Sequence, residues 1–258
     1  METTVLCRVR SAAFLLAAAV VLSAPSAARG GDYPLGLCIN SDGGARFPGP
    51  SDSVYGFRLG VFQAESAHMF GIAASGFVNT DNNRYSGEVA GLQIAGIGNG
   101  ATFSQWGVWQ IAALINNLKR TSRGVQISGV NFMEGGGEGL QCGVWNEADD
   151  DFWGVQVGAF ANTVKGNLRG IQIGCINDCE KEVRGAQIGV FNLAVKGLSG
   201  IQIGVVNRVG AGYLHGVQLG LINVYDGPSE SFEGIQLGGF GSGDKFSAPV
   251  APLLRVSF

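Results

Sequence analysis

One short sequence word recurs eight times between Gly124 and Gly238 and constrains the fold more than any other feature of the chain. It consists of Gly, a hydrophobic residue, Gln, a second hydrophobic residue, Gly, two mostly apolar residues and Asn, as in Gly170–Asn177 and Gly200–Asn207. The copies follow one another every 15 or 16 residues, so the chain is an array of one small structural unit. Such an array says much about architecture and little about chemistry.

Degraded copies of the word begin upstream at Gly56, Gly71, Gly91 and Gly107. The copy at Gly107 has one extra residue before its Gln, and an inserted residue shifts every later side chain unless a β-bulge absorbs it. We therefore expect bulges among the upstream units, and the departures from the repeat at Gly71 and Gly107 leave the strand register open there. No linker or break in composition divides the array, so residues 29–258 are predicted to form a single repeat-built β-domain.

Each unit is predicted to be a β-strand. In one copy, Ile201, Ile203 and Val205 fall on one face of the chain, whereas Gln202 and Gly204 fall on the other. Almost every copy carries two glycines within five residues, which excludes a helix because glycine is unfavourable in helix interiors. The sequence therefore predicts an all-β fold.

The first residues have the order of a secretory signal peptide. Arg8 and Arg10 precede an apolar run over 12–22, and the small residues Ser26 and Ala28 follow. Residues 1–28 are therefore predicted to be a signal peptide, and the protein is predicted to be exported. Charged residues make up only 14% of the chain and the net charge is -3, which argues against a nucleic-acid-binding protein.

Two architectures fit a strand-and-turn repeat of this length. One is an antiparallel up-and-down outer-membrane-type barrel of about fourteen strands. It fits the repeat length because a tilted spanning strand takes about 9–11 residues and leaves the rest of the unit for a turn. Aromatic residues before the leading glycine, such as Tyr55, Phe70 and Trp153, suit an interfacial girdle. The charge-rich connections that tend to alternate with milder ones, and the terminal Phe258, also favour the barrel as the main interpretation.

The alternative is a β-solenoid, in which each unit is one coil and equivalent residues stack along the axis. The recurrent Gln and Asn favour this architecture, because a solenoid can use them for side-chain ladders, whereas a barrel needs only alternation. The direction of strand pairing separates the two. Neighbouring strands are antiparallel in the barrel and parallel in the solenoid, so the pairing of the strands at Gly185 and Gly200 decides between them.

A row of glutamines, called the Gln row, is the one polar feature that carries a site hypothesis. In a barrel it lines the lumen and makes a wide pore with little charge selectivity, while Ile171, Ile173 and Cys175 face lipid. The competing hypothesis is that each Gln hydrogen-bonds its neighbour or the backbone. The row comprises Gln93, Gln126, Gln141, Gln156, Gln172, Gln187, Gln202, Gln218 and Gln236.

No catalytic, cofactor-binding or metal-binding residue is predicted. His68 and His215 lie in or beside connections without a partner motif, and Asp149–Asp151 lack the glycine-spaced pattern of a calcium loop. Cys142 and Cys175 occupy positions filled elsewhere by Ile or Val, which favours an apolar role for them. Export permits disulfides, so pairing among the cysteines, which include Cys38 and Cys179, stays open.

The repeated string Gly-Ile-Gln-Ile-Gly-Val-Val-Asn resembles a widespread family of bacterial surface-repeat proteins, named from spirochaete examples and built on a Gly-Leu-Gln-Ile-Gly-Leu-x-Asn word. The resemblance covers nearly all of residues 29–258, including Pro34–Leu37 and Pro252–Phe258. It implies an outer-membrane or cell-surface location in a double-membraned bacterium, and it implies no substrate.

The expected function is that of a non-enzymatic outer-membrane or surface repeat protein, acting as a non-specific pore or a structural envelope component. The alternative is a surface β-solenoid that acts in adhesion or protein interaction. Outer-membrane lipid is the expected partner, nucleic acid is not expected, and protein or small-solute partners stay open.

Overall fold

The computed structural model of the protein describes residues 31–39, 46–49, 51–81, 88–102, 104–120, 122–242 and 253–257. The predicted signal peptide, residues 1–28, and the terminal Phe258 lie outside these ranges. Within these ranges, twenty β-strands belong to one sheet system. Their bounds are β1 Asp32–Cys38, β2 Arg46–Phe47, β3 Ser53–Gly60, β4 Gln63–Ser66, β5 Met69–Ser75, β6 Val78–Asp81, β7 Val89–Ala95, β8 Gly98–Ala101, β9 Ser104–Ala112, β10 Ile115–Leu118, β11 Ser122–Ile127, β12 Val130–Met133, β13 Gly137–Ala148, β14 Phe152–Val164, β15 Leu168–Cys179, β16 Glu182–Ala194, β17 Gly197–Val209, β18 Tyr213–Tyr225, β19 Phe232–Ser242 and β20 Leu253–Ser257.

The chain winds into a parallel β-solenoid of about 11 turns. From β13 to β19 each strand pairs in parallel with the next one along the chain, and equivalent residues of the repeat lie side by side. Gly185 pairs with Gly200 in this parallel arrangement. The prediction of an antiparallel fourteen-stranded barrel is therefore wrong, and the alternative, the β-solenoid, is the observed fold.

The leading glycine of each repeat marks a point where the backbone takes a conformation that other residues rarely adopt. Gly185 has φ 142°, and a Cβ built there would overlap the carbonyl oxygen of Gly170 in the preceding coil. Glycine is required for both reasons, since it tolerates a positive φ and permits close backbone approach. The second glycine, such as Gly189, is confined in the same way by Gly174 and by the Asn177 side chain.

Four columns of stacked side chains fill the interior of the solenoid. The first apolar ladder precedes the leading glycine by two residues, the Gln and Asn ladders follow it, and the second apolar ladder lies two residues after each Asn. The first apolar ladder contains Val54, Met69, Val89, Phe152, Leu168, Val183, Leu198, Leu214 and Phe232, and the second contains Ala101, Leu118, Met133, Ala148, Val164, Cys179, Ala194, Val209 and Tyr225. All of these side chains are at most 1% exposed, so the core combines apolar and amide layers.

The two amide ladders bond from coil to coil in opposite directions. From Gln110 to Gln236 each ladder Gln Nε2 donates to the Oε1 of the Gln in the preceding coil, as from Gln187 to Gln172 at 2.8 Å. From Asn79 to Asn207 each ladder Asn Nδ2 donates to the Oδ1 of the Asn in the following coil, as from Asn177 to Asn192 at 2.8 Å. Buried amides satisfied in this manner hold the coils in register, because a slip by one residue would leave their donors and acceptors unpaired.

The ends, one upstream coil and β14 depart from the regular stack, and in β14 the register shifts between Gly158 and Ala161. The short β2 pairs antiparallel with β1, and β20 pairs antiparallel with β19. The register shifts where β9 meets β11, and Val108 takes the place of the leading glycine opposite Gly91 and Gly124. The bulge predicted at Gly107 is confirmed. Gly71, where the sequence left the register open, stacks between Gly56 and Gly91 without a shift.

Candidate interaction surface

The hydrophobic residues on either side of each Gln point out of the solenoid rather than into it. They form two parallel rows along the axis, and every member is at least partly exposed. The first outer row is Phe57, Ile72, Leu92, Trp109, Val125, Leu140, Val155, Ile171, Ala186, Ile201, Val217 and Ile235. The second outer row is Leu59, Ala74, Ile94, Ile111, Ile127, Cys142, Val157, Ile173, Ile188, Ile203, Leu219 and Leu237.

The two outer rows, with the exposed Val144, Cys175, Val190, Val205 and Leu221 at their margin, are called the apolar face. No position in the outer rows carries a charge. Parallel strands lie about 4.8 Å apart, so twelve levels give the face a length of about 50 Å. The two rows and their margin span five residues at about 3.3 Å each, a width of about 16 Å, so the area is on the order of 800 Å². A typical monomer exposes a largest apolar patch of about 300–600 Å², so this face is unusually large for a protein surface left to water.

Paired charges and aromatic rings border the apolar face beside the leading glycines. The Nε of Arg123 lies 3.1 Å from a Glu138 carboxylate oxygen, and the guanidinium of Arg169 lies over the Trp153 ring at 4.7 Å. At the N-terminal end the rings of Tyr55 and Phe70 stack with centroids 4.9 Å apart. This border therefore contains both signs of charge as well as aromatic groups, whereas the centre of the face is purely apolar.

The structure places every residue of the Gln row inside the solenoid, where each is at most 1% exposed. The row therefore faces the packed core, and the side chains bond one another at 2.5–3.1 Å, as the competing sequence hypothesis proposes. Gln110 belongs to the same ladder and is missing from the predicted row, because the extra residue at Gly107 disguised its position. Ile171 and Ile173 lie outside and Gln172 inside, which assigns the exposed face to the hydrophobic residues.

The buried Cys179 is a member of the second apolar ladder, with Sγ 3.4 Å from the carbonyl oxygens of Gly166 and Glu182. Burial raises the pKa of this thiol to about 11, so the thiol is protonated and unreactive at neutral pH. Cys38, Cys142, Cys175 and Cys179 are all free thiols. An apolar role fits these positions better than redox chemistry does.

The histidines and the acidic turn form local structural contacts. His68 Nδ1 accepts a hydrogen bond from the Glu88 amide at 3.0 Å, and His215 lies in β18 with Nε2 3.8 Å from Glu233. The Oδ1 of Asp151 accepts a hydrogen bond from the backbone N–H of Asn167 at 2.7 Å and so fixes the turn of the following coil. Within the described ranges, no three His, Cys, Asp or Glu side chains come together as a metal-ligand group.

The Asp178 carboxylate beside the core has a buried oxygen atom that accepts no hydrogen bond among the described residues. Asp178 follows the Asn of its repeat, and the buried atom is its Oδ1. Burial raises the pKa of this carboxyl group, and the neighbouring Glu180 charge adds to the effect. The equivalent positions in the next coils hold Leu193 and Arg208, so the repeat does not require an acid there.

Comparisons of the chain with protein-family models, curated proteins and solved structures found no match. Among the residues that the structure describes, none belongs to a helix with the length and hydrophobicity of a membrane span.

Proposed function

We propose that the protein is an exported, non-catalytic surface β-solenoid that serves as an interaction scaffold in adhesion or protein contact. The observation that carries the proposal is the apolar face, which remains exposed along about 50 Å of the solenoid at the usual strand spacing. Exposing hydrophobic side chains at every level costs solubility, and large exposed apolar patches usually mark interaction sites. The rigid hydrogen-bonded core keeps these side chains at fixed spacing, as a recognition surface requires.

Location is proposed from the sequence, since the N-terminal 1–28 segment has the order of a signal peptide and the repeat word resembles those of bacterial surface proteins. The proposed location is the outer membrane or cell surface of a double-membraned bacterium.

The pore hypothesis needs a water-filled lumen lined by the Gln row, and this row is packed inside the core. The solenoid therefore supports an interaction role better than a conducting one.

Site-specific photo-cross-linking in intact cells tests the proposal. A photoreactive phenylalanine analogue replaces Ile173, which is 40% exposed on the apolar face, and in a matched control it replaces Val195, which is 40% exposed in the turn after β16. We expect irradiation to give a heavier protein adduct from position 173 and none from position 195. Adducts to lipid alone, or no adduct at position 173, would contradict the scaffold function.

A cysteine pair tests the location separately. Val195→Cys and the buried Gln187→Cys are made in an otherwise cysteine-free chain and treated in intact cells with a membrane-impermeant maleimide. We expect position 195 to be labelled before lysis and position 187 only after unfolding, because the Gln187 side chain is fully buried. Labelling of position 195 only after lysis would show that the chain is not displayed at the surface.

A further inference from the structure

The apolar face has the size of one half of a protein–protein interface. Stable complexes bury roughly 800 Å² on each partner, which is about the area that the two outer rows and their margin present. The centre of the face is apolar and its border is polar and aromatic, which is the usual anatomy of such interfaces. The face is therefore large enough to support a stable complex through its whole length.

The surface relief of the face restricts what can cover it. Side chains in the outer rows repeat at the strand spacing, about 4.8 Å, and the rows run in unbroken register from Gly124 to Gly238. A partner fills the grooves between successive levels only if its own ridges repeat at the same spacing over a comparable length. A second solenoid of the same chain meets this condition, because two sheets pack face to face with their side chains interdigitated.

The charges at the border also fit a second copy better than a lipid surface. Surfaces that lie on anionic membranes carry an excess of Lys and Arg beside their apolar side. Here the charges at this border have both signs, with Arg123 against Glu138 and Arg184 against Glu182, while Arg169 and Glu233 add one charge of each sign. Such a self-compensated border lets two identical faces approach without a large repulsion and gives little attraction to an anionic membrane.

We infer that the occupant of the apolar face is a second copy of this chain, and that two solenoids pack face to face in a twofold-symmetric dimer. The inference rests on the proposed function and names the partner of the same surface. In an isologous dimer both subunits use the same patch, so the apolar rows of each solenoid become buried against those of the other. The two outer rows of each subunit are then removed from water, whereas Trp145, Phe160 and Phe191 stay exposed outside the face.

Sedimentation equilibrium of the purified full chain in detergent-free buffer tests the dimer. The test variant is Ile173→Lys with Ile188→Lys, which places two charges at adjacent levels of the second outer row. The control is Val195→Lys, at a side chain of equal exposure to Ile173 but outside the face. We expect the wild type and the control to have the mass of two chains, and we expect the double variant to dissociate roughly 100-fold more readily, because its lysines would be desolvated in the interface.

Circular dichroism must show that the double variant keeps the β-sheet spectrum. If it does not, Ile203→Lys with Leu219→Lys repeats the test two coils further on. A wild type that sediments as a monomer at all concentrations, or a folded double variant that dimerises as tightly as the wild type, would overturn the inference. So would a monomeric wild type that co-sediments with phosphatidylcholine vesicles, which would identify lipid as the occupant.

Failure of the dimer and failure of the scaffold function are distinguishable. If the purified chain is monomeric but photo-cross-linking at position 173 still gives a protein adduct in cells, the face binds a different protein and the scaffold function stands. If neither a dimer nor an adduct forms, both proposals fail together.

Discussion

Replacement of one core glutamine tests the claim that amide ladders, and not the outward hydrophobic residues, hold the coils together. Gln187 Nε2 donates to Gln172 Oε1 at 2.8 Å and to the Leu193 carbonyl oxygen at 3.0 Å, while its Oε1 accepts from Gln202 Nε2 at 2.7 Å. Gln187→Leu keeps a similar volume and removes these three bonds together with a weaker donation, at 3.4 Å, to the Asn177 carbonyl oxygen. The Oε1 of Gln172 is then buried with no donor from the ladder.

The expected cost follows from the groups left unpaired. A buried polar group without its partner costs about 1–3 kcal/mol, and the substitution affects the Oε1 of Gln172 and, in part, the Nε2 of Gln202, which keeps its 3.3 Å bond to the Arg208 carbonyl. Greater hydrophobicity of Leu offsets about 1 kcal/mol. The net loss in the free energy of unfolding should therefore be about 1–4 kcal/mol, measured by urea denaturation followed with circular dichroism.

Two controls make this measurement decisive. Val195→Gln changes a 40% exposed residue outside the apolar face and should cost less than about 1 kcal/mol, because exposed positions tolerate substitution. The double variant Gln172→Leu with Gln187→Leu should cost less than the sum of the single variants, since both remove the same shared bond. A neutral Gln187→Leu together with a costly Val195→Gln would refute the assignment of buried and exposed positions.

Three further perturbations should have defined outcomes. Gly185→Ala should lower the free energy of unfolding by at least about 3 kcal/mol or prevent folding, because the new Cβ combines a positive φ with overlap of the Gly170 carbonyl oxygen. The control is Gly107→Ala, where no atom lies within 4 Å of the added Cβ, and thermal denaturation should show a smaller loss of stability for it. Cys179 should resist maleimide at pH 8 in the native protein and react after unfolding, because its pKa of about 11 keeps the thiol protonated. If mass spectrometry finds Cys179 modified in the folded protein, the side chain is not buried. Asp178→Asn should stabilise the protein at pH 7, since the raised pKa of Asp178 means that its ionised form is disfavoured in the folded state. That gain should shrink as the pH falls through the folded pKa of Asp178 towards its unfolded value and should vanish below it, so a gain that grows in acid would exclude the explanation.

The repeat word predicts the strands and their alternation well, but it does not reveal which face is buried. Ile171 and Ile173 are the most hydrophobic residues of their repeat, and the ordinary expectation is that such a face turns away from water, towards lipid in the barrel hypothesis. The structure instead buries Gln172 and Asn177 and draws its apolar core from residues outside the central part of the word, such as Leu168 and Cys179. Period-two alternation is identical in both architectures, so it cannot separate them.

The signal that could have separated them is the repetition of Gln and Asn at fixed positions. A barrel strand gains nothing from identical amides in every copy, whereas stacked coils place each amide against its equivalent, as Gln187 lies against Gln202. The departure at Gly107 is visible in the sequence as an extra residue, but how the stack absorbs it is not. Only the pairing shows that Val108 takes the place of the glycine and so keeps Gln110 in the ladder.

The opposed directions of the Gln and Asn ladders have an electrostatic consequence for the length of the array. Aligned amide dipoles add up along an axis, as they do in a helix, and would leave partial charges of opposite sign at its two ends. In this solenoid the Gln amides point their N–H groups towards the N-terminal end, and the Asn amides point theirs towards the C-terminal end. The two sums largely cancel at every coil, so the ladders together have little net dipole moment along the axis, whatever the number of coils. Coils can therefore be gained or lost without a growing dipole moment. The number of repeats is then free to set the length of the apolar face.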